Sequence, residues 1–268
     1  MKTRKHMRRE RDRFIKYHGP TVADDWTRVR AFSELTEKIP RIRAVTPLSV
    51  DDENHEITYT WLGELPRMIT LPHAELLASI ANIGFGLAQV HEQGKNCDAL
   101  ENTPANSVLP LETVGIDEPT SRLINDCLPI GFFHGDCWHA NVLIDDAGDC
   151  VLIDPIPSLR LFGERRYMLA NGIVDLATMH MSLTMSFPLS NLLRLNLDRQ
   201  LEIGEVLLAS YLRHFDALPM RKFVLQLSRS LAIRYATSYP KYINYLVGWV
   251  KMGLSKQIIA ATDKRLSW

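Results

Sequence analysis

Residues 132–154 read FFHGDCWHANVLIDDAGDCVLID. Two apolar runs, Phe132–Phe133 and Val142–Ile144, flank a polar turn holding His134, Asp136, His139 and Asn141; a third, Val151–Ile153, ends abruptly on Asp154. Asp145-Asp146-Ala147-Gly148-Asp149 are turn formers between two short β-branched stretches, so the pattern predicts a loop followed by a hairpin. Such a hairpin brings Asp154 back beside Asn141. Asp136, Asn141 and Asp154 then form an all-oxygen set, which suits hard Mg2+ better than zinc or a redox metal. Metal-dependent phosphoryl transfer needs such a set: one Asp to orient an attacking hydroxyl, and an Asn and a second Asp to hold the ion that bridges phosphate oxygens.

Two other chemistries compete for the same loop. His134, Asp136, Cys137 and His139 crowd into six residues and resemble zinc ligands, but zinc sites use separated ligand pairs and Cys150 falls inside a predicted strand. Cys137 with a neighbouring His is a possible nucleophile, yet adjacency in sequence does not supply the pairing that activation requires.

HGD-x4-N followed by an apolar strand and a terminal Ile-Asp resembles the aminoglycoside phosphotransferase and choline kinase group, relatives of the protein kinases. The resemblance implies an α+β, two-lobed protein-kinase-like fold. It divides the chain into a small, reduced antiparallel-sheet lobe at 1–61 and a larger, mainly helical lobe at 62–268. It assigns Asp136 as catalytic base, Asn141 and Asp154 as metal ligands, and His134 as a structural histidine bracing the loop. Asp175, in Asp175-Leu176-Ala177, is the structural acid that accepts hydrogen bonds from backbone amides of the loop. The implied cofactors are ATP and Mg2+.

Upstream, Phe14-Ile15-Lys16-Tyr17 is an apolar stretch around one lysine. In the resemblance this is the strand whose lysine, Lys16, reaches the nucleotide phosphates. Family members place two strands and a phosphate-closing loop before it; hardly any room for these precedes Lys16, so the expectation is a remnant hairpin or a reduced lobe. Residues 22–38 read as a helix with Trp26, Val29, Phe32 and Leu35 recurring at threefold spacing. The family's helix acid falls on Arg28, so Asp25, one turn earlier, is the first choice to pair with Lys16 and Glu34 a poorer one. Ile42–Val45 and Ile57–Trp61 read as two further strands around the acidic turn Asp51-Asp52-Glu53-Asn54. Thr60, Trp61 and Leu62 then occupy the hinge, whose backbone groups bind adenine.

Leu76, Ile80, Ile83, Leu87 and Val90 form the apolar stripe of a helix over 71–94, closing on Leu87-Ala88-Gln89-Val90-His91, similar to the family's L-A-x-L-H ending. Residues 95–120 lack periodicity, and Ser121–Cys127 read as a short helix. Beyond Asp154, Arg160, Arg165 and Arg166 are either anion-binding or solvated. The rest is helical in pattern over Leu201–Phe215, Arg221–Tyr239 and Tyr242–Ala261, with Tyr235, Tyr239, Tyr242, Tyr245 and Trp249 clustered as core or as an acceptor wall.

The chain's 268 residues are 46% hydrophobic and 23% charged, an ordinary globular composition. With 31 basic and 31 acidic residues, no global field draws nucleic acid. Residues 1–13 carry seven Lys or Arg against two acids and read as a solvated edge strand, or else as a patch for an anionic surface. No apolar run approaches the roughly 20 residues of a membrane span, so cytoplasmic residence is the expectation. Cys97, Cys127, Cys137 and Cys150 lack paired spacing and read as reduced thiols. The function expected is transfer of a phosphoryl group to a hydroxyl of a small molecule, aminoglycoside-, sugar- or amino-alcohol-like. The alternative is a nucleotide-binding module with weak or no turnover.

Overall fold

The computed structural model describes residues 7–96, 107–162, 167–184 and 197–237. Its first sheet is antiparallel, in the order β1 (Met7–Glu10), β2 (Arg13–Tyr17), β5 (Glu56–Thr60), β4 (Pro47–Asp51). β1, exposed throughout, is the solvated edge that its charges predict. It joins β2 through Arg11-Asp12, a turn with no glycine in which Arg11 is itself left-handed (φ 54°). Among the described residues, one strand rather than two precedes the strand that carries Lys16.

Helix α1 (Val22–Thr36) packs on this sheet, burying Val22 and Val29 against Val45, Ile57 and Tyr59. Its inner face also carries Asp25 and Arg28, both buried. The turn after β4 closes as its composition predicts, with the Asn54 amide donating to Asp51 Oδ1 at 2.9 Å.

Ile42–Val45 was expected to pair within the first sheet, and here the structure differs. β3 (Ile42–Ala44) runs parallel to β8 (Cys150–Leu152), which pairs antiparallel with β7 (Val142–Ile144). The hairpin partner of β5 is instead β4, five residues further along. The switch buries Ile42 and Ala44 in the large core, more apolar surface than a place in the half-exposed first sheet would cover.

The large core is built on α2 (His73–Gln93), whose predicted stripe of Leu76, Ile80, Ile83, Leu87 and Val90 is wholly buried. α3 (Glu118–Cys127) starts on Asp117, whose carboxylate accepts the Thr120 amide. It leads into β6 (Ile130–Phe132), which pairs with β9 (Leu169–Asn171). The short α4 (Leu159–Phe162) follows the β7–β8 hairpin. α5 (Ile173–Thr184), buried on every side, lies between α6 (Leu197–Leu212) and α7 (Arg221–Thr237). Its polar residues are all met: Thr178 and Thr184 donate to the carbonyls four residues earlier, and His180 lies 3.1 Å from Ser228 Oγ of α7.

Among the described residues no helix is long and apolar enough to cross a membrane. The predicted helix over Tyr242–Ala261, the residues Tyr239, Tyr242, Tyr245 and Trp249, Cys97, Arg165 and Arg166 lie outside the described residues, as does the side chain of Arg160.

Candidate active site

The loop between β6 and β7 owes its shape to three local features. Gly135 adopts φ +79°, and a Cβ there would meet Pro157 Cα at 2.8 Å, so only glycine fits. The Trp138 amide donates to Asp136 O and the Asn141 amide to Trp138 O, both at 2.8 Å, which winds the loop into a 3₁₀ turn before β7. Asp175, on the first turn of α5, accepts the amides of His134 (2.6 Å) and Gly135 (2.9 Å).

Asp175 is fully buried and in turn takes a hydrogen bond from His91 Nε2 at 3.1 Å, while His91 Nδ1 lies 2.7 Å from the Tyr211 hydroxyl. Burial alone would push its carboxyl up; the hydrogen bond from His91, foremost, and the Gly135 amide outweigh burial and hold it below the usual carboxylate range. An ionised Asp175 requires His91 to donate through Nε2, and in the neutral imidazole Nδ1 then accepts the Tyr211 O–H. His134 is sealed against Phe32, ring centroids 5.4 Å apart and perpendicular. Burial lowers its pKa to about 4, so it stays neutral and its Nδ1 accepts the Asp136 amide at 3.2 Å.

Asp136 and Asn141 are in direct contact, and the hairpin sets Asp154 next to them. Asn141 Nδ2 donates to Asp136 Oδ2 at 3.0 Å and to the Asp136 carbonyl at 2.9 Å. This turns the amide nitrogen toward Asp136 and leaves Oδ1 as the atom with coordinating capacity. The Ile153 amide bonds to Asn141 O at 3.0 Å, setting Asp154 beside Asn141 at the mouth of the hairpin. Asp154 is left-handed (φ 58°), strained backbone for a residue with a side chain. Burial, reinforced by the charge of Asp154, pushes the Asp136 carboxyl up to about 6, against the opposing Asn141 hydrogen bond and the Lys16 charge.

Lys16 reaches this group from β2, its ammonium ion-paired with Asp154 Oδ1. The partner predicted for it, Asp25, is elsewhere. Asp25 Oδ2 lies 3.0 Å from His18 Nδ1, and His18 Nε2 lies 3.0 Å from the Tyr59 hydroxyl, a buried chain beneath the sheet. Asp25 and Lys16 project from α1 and β2 to different neighbours, so the predicted pair does not form. At the hinge two of the backbone amides are already committed. The Thr60 amide donates to Thr46 O at 3.0 Å and the Trp61 amide to Asp12 O at 2.8 Å, so neither N–H can bind a base. Among the described residues the Leu62 amide has no such partner. Trp61 carries the Arg9 guanidinium 4.5 Å above its ring.

Arg28 is the site residue that the sequence reading passed over. Its Nε donates to Pro155 O at 2.7 Å, one terminal nitrogen to Phe133 O at 2.6 Å and the other to Tyr167 O. Burial lowers its pKa to about 9, which leaves it charged, with Asp175 and Asp25 supporting that charge. The available signal was spacing: 25, 28, 29, 32 and 35 fall on one helical face.

Neither competing chemistry gains support. Cys137 packs within the core, where burial pushes its thiol well above the ordinary range and away from the thiolate a nucleophile needs. Among the described residues no group of three or more His, Cys, Asp or Glu side chains is placed to hold a metal. Two carboxylates and one carboxamide suit Mg2+, which retains several water ligands.

No protein-family model matches the sequence, and no curated protein matches it. Solved structures share its architecture. A choline/ethanolamine kinase family protein from Mesorhizobium loti is 13% identical, with 94% of this chain and 84% of that one covered at TM-score 0.54. For choline kinase LicA from Streptococcus pneumoniae the values are 12%, 93%, 86% and 0.53. A glucosamine kinase in complex with glucosamine, ADP and inorganic phosphate is 14% identical over 95% of this chain and 76% of that one, at TM-score 0.53. At such identities the likeness is one of fold: the chain has the two-lobed, protein-kinase-like fold that these choline and glucosamine kinases share.

Proposed function

We propose that this protein transfers the γ-phosphoryl group of ATP, with Mg2+, to a hydroxyl of a small molecule of the aminoglycoside, sugar or amino-alcohol kind. The observation that carries the reading is the convergence of Asp136, Asn141 and Asp154 on one loop and hairpin, with Lys16 brought to them from the other sheet. The shared fold of kinases whose names specify choline and glucosamine supports the acceptor class.

In this reading residues 1–61 form the nucleotide lobe and 62–268 the lobe with the acceptor site. Asp136 orients the acceptor hydroxyl and receives its proton. Its carboxylate, raised to about 6, is a better base than an ordinary aspartate and still ionised at neutral pH. Asn141 holds one oxygen of that carboxylate, leaving the other for the hydroxyl. Asn141 Oδ1 and Asp154 would hold Mg2+, which when bound neutralises charge on the phosphate oxygens. Lys16, now neutralised by Asp154, supplies the positive charge that steadies the nucleotide phosphates. His134 and Asp175 hold the loop in shape.

Asp136→Asn is expected to lower turnover by about two or more orders of magnitude with nucleotide affinity nearly unchanged, while Asp154→Ala weakens Mg-ATP binding as well. ADP release across an acceptor panel and calorimetric titration of ATP with and without Mg2+ measure both. Full activity in Asp136→Asn refutes the catalytic assignment.

A second reading, a nucleotide-binding module without turnover, is favoured by two observations: Asp25 is tied to His18 rather than to Lys16, and the Thr60 and Trp61 amides are already committed. Tight ATP binding with no ADP above background for any acceptor would select it.

A further inference from the structure

Among the described residues Arg28 is the only lysine or arginine that is buried, with 2% of its surface exposed. A sealed guanidinium is costly unless its donors are met, and here they are met by three backbone carbonyls from three separate segments. Phe133 O belongs to the segment entering the HGD loop, Pro155 O follows Asp154 directly, and Tyr167 O precedes β9. The aromatic rings of Phe132 and Phe133 lie 5.4 and 4.9 Å from the guanidinium carbon and close off water.

One peptide unit receives two ions. The carbonyl of the Phe133–His134 peptide accepts from Arg28, and the N–H of the same peptide donates to the buried Asp175. The plane of that peptide, and with it the direction in which the chain continues to Gly135 and Asp136, is set between a cation on one side and an anion on the other. The same guanidinium fastens the carbonyl next to the left-handed Asp154, where the backbone would otherwise relax.

We infer that Arg28 is a positioning residue: clamped between the HGD loop and the turn after Asp154, its guanidinium sets the separation of Asp136 from Asp154. The inference rests on the phosphotransferase reading for its catalytic consequence but not for its structural one. A packing role alone would need only a long side chain. Three carbonyls in divergent directions need a planar fork, which lysine lacks although it keeps the charge.

Arg28→Lys and Arg28→Met, prepared as full-length chains, test this. In Arg28→Lys, kcat is expected to fall by about 10- to 100-fold, as for a misplacement of order 1 Å, with the KM for nucleotide within about threefold. Amide exchange at His134 and Gly135 is expected to quicken by at least about tenfold while the interior of α2 stays protected. Arg28→Met, if it folds, should fall further on both readouts. Wild-type kcat together with unchanged exchange at His134 and Gly135 in Arg28→Lys would overturn the inference. If the wild-type chain releases no ADP with any acceptor, the phosphotransferase reading fails on its own. The exchange arm then still decides whether Arg28 anchors the loop.

Discussion

Asp136 and Gly135 are adjacent residues that satisfy opposite demands. Gly135 is required by space: its carbonyl accepts the Ser158 amide at 3.0 Å, and Pro157 stands where a Cβ would be. Gly135→Ala is therefore expected to cost about 2–4 kcal/mol, read by chemical denaturation, from a left-handed backbone plus a clash with backbone that has nowhere to move. Asp136 lowers the stability of the fold at neutral pH. Burial opposes its ionisation, so above pH 6 the folded state carries a destabilised charge. The Asp136→Asn protein is expected to be more stable than wild type by about 1–3 kcal/mol at pH 7.5. Both residues were legible in the sequence because their neighbours 132–154 carry the pattern. Arg28 was not, because the resemblance expects an acid at its position, and a buried arginine is the exception among charged residues.

At the level of elements, three helices meet at one buried hydrogen-bonded chain. Tyr211 of α6 bonds to His91 of α2, and His91 to Asp175 of α5, which holds the loop. Gly172, just before α5, permits this approach: a Cβ there would overlap the Tyr211 hydroxyl and His91 Nδ1. Tyr211→Phe leaves His91 Nδ1 buried without its donor and is expected to cost about 1–3 kcal/mol by urea denaturation, with α2 and α6 still formed. Helices α1, α2, α6 and α7 followed from periodicity, since a stripe such as Leu76, Ile80, Ile83, Leu87 and Val90 has only one face to bury, whereas α5, buried at every position, has no polar face to mark a period and was not foreseen. Strand partnership did not. Ile42–Ala44 is an apolar triplet that suits either sheet, and its place beside β8 was decided by the larger core available there.

For the molecule as a whole, the buried titratable groups set the acid limit of stability. Burial lowers His134 and His180 from 6.5 to about 4, with the Arg221 charge adding to the shift at His180. Between those values only the unfolded chain binds the two protons, so stability falls as pH drops through the interval. The slope is up to about 1.4 kcal/mol per pH unit for each histidine. Asp136 works in the other direction: raised from 3.8 to about 6, it takes up a proton first in the folded state and offsets one histidine below pH 6. Stability measured at pH 6.5, 5.5 and 4.5 is thus expected to fall more steeply in Asp136→Asn than in wild type. Equal slopes would mean that one of these groups is not buried as described.

The amino-acid sequence by itself determined the loop and hairpin around Asp136 and the helices α1, α2, α3, α6 and α7, because each rests on short-range turn chemistry or on a period that a single segment displays; the fold class followed from the resemblance carried by the motif at 132–154. Only the tertiary structure decided which groups face one another across the chain: Lys16 with Asp154, Asp25 with His18, Arg28 with three carbonyls, Asp175 with two amides. Those choices depend on which ions can be buried together with all their hydrogen bonds met. Apart from Asp25 and His18, which are seven residues apart, that balance is settled among segments 40 to 139 residues apart, and no local pattern carries it.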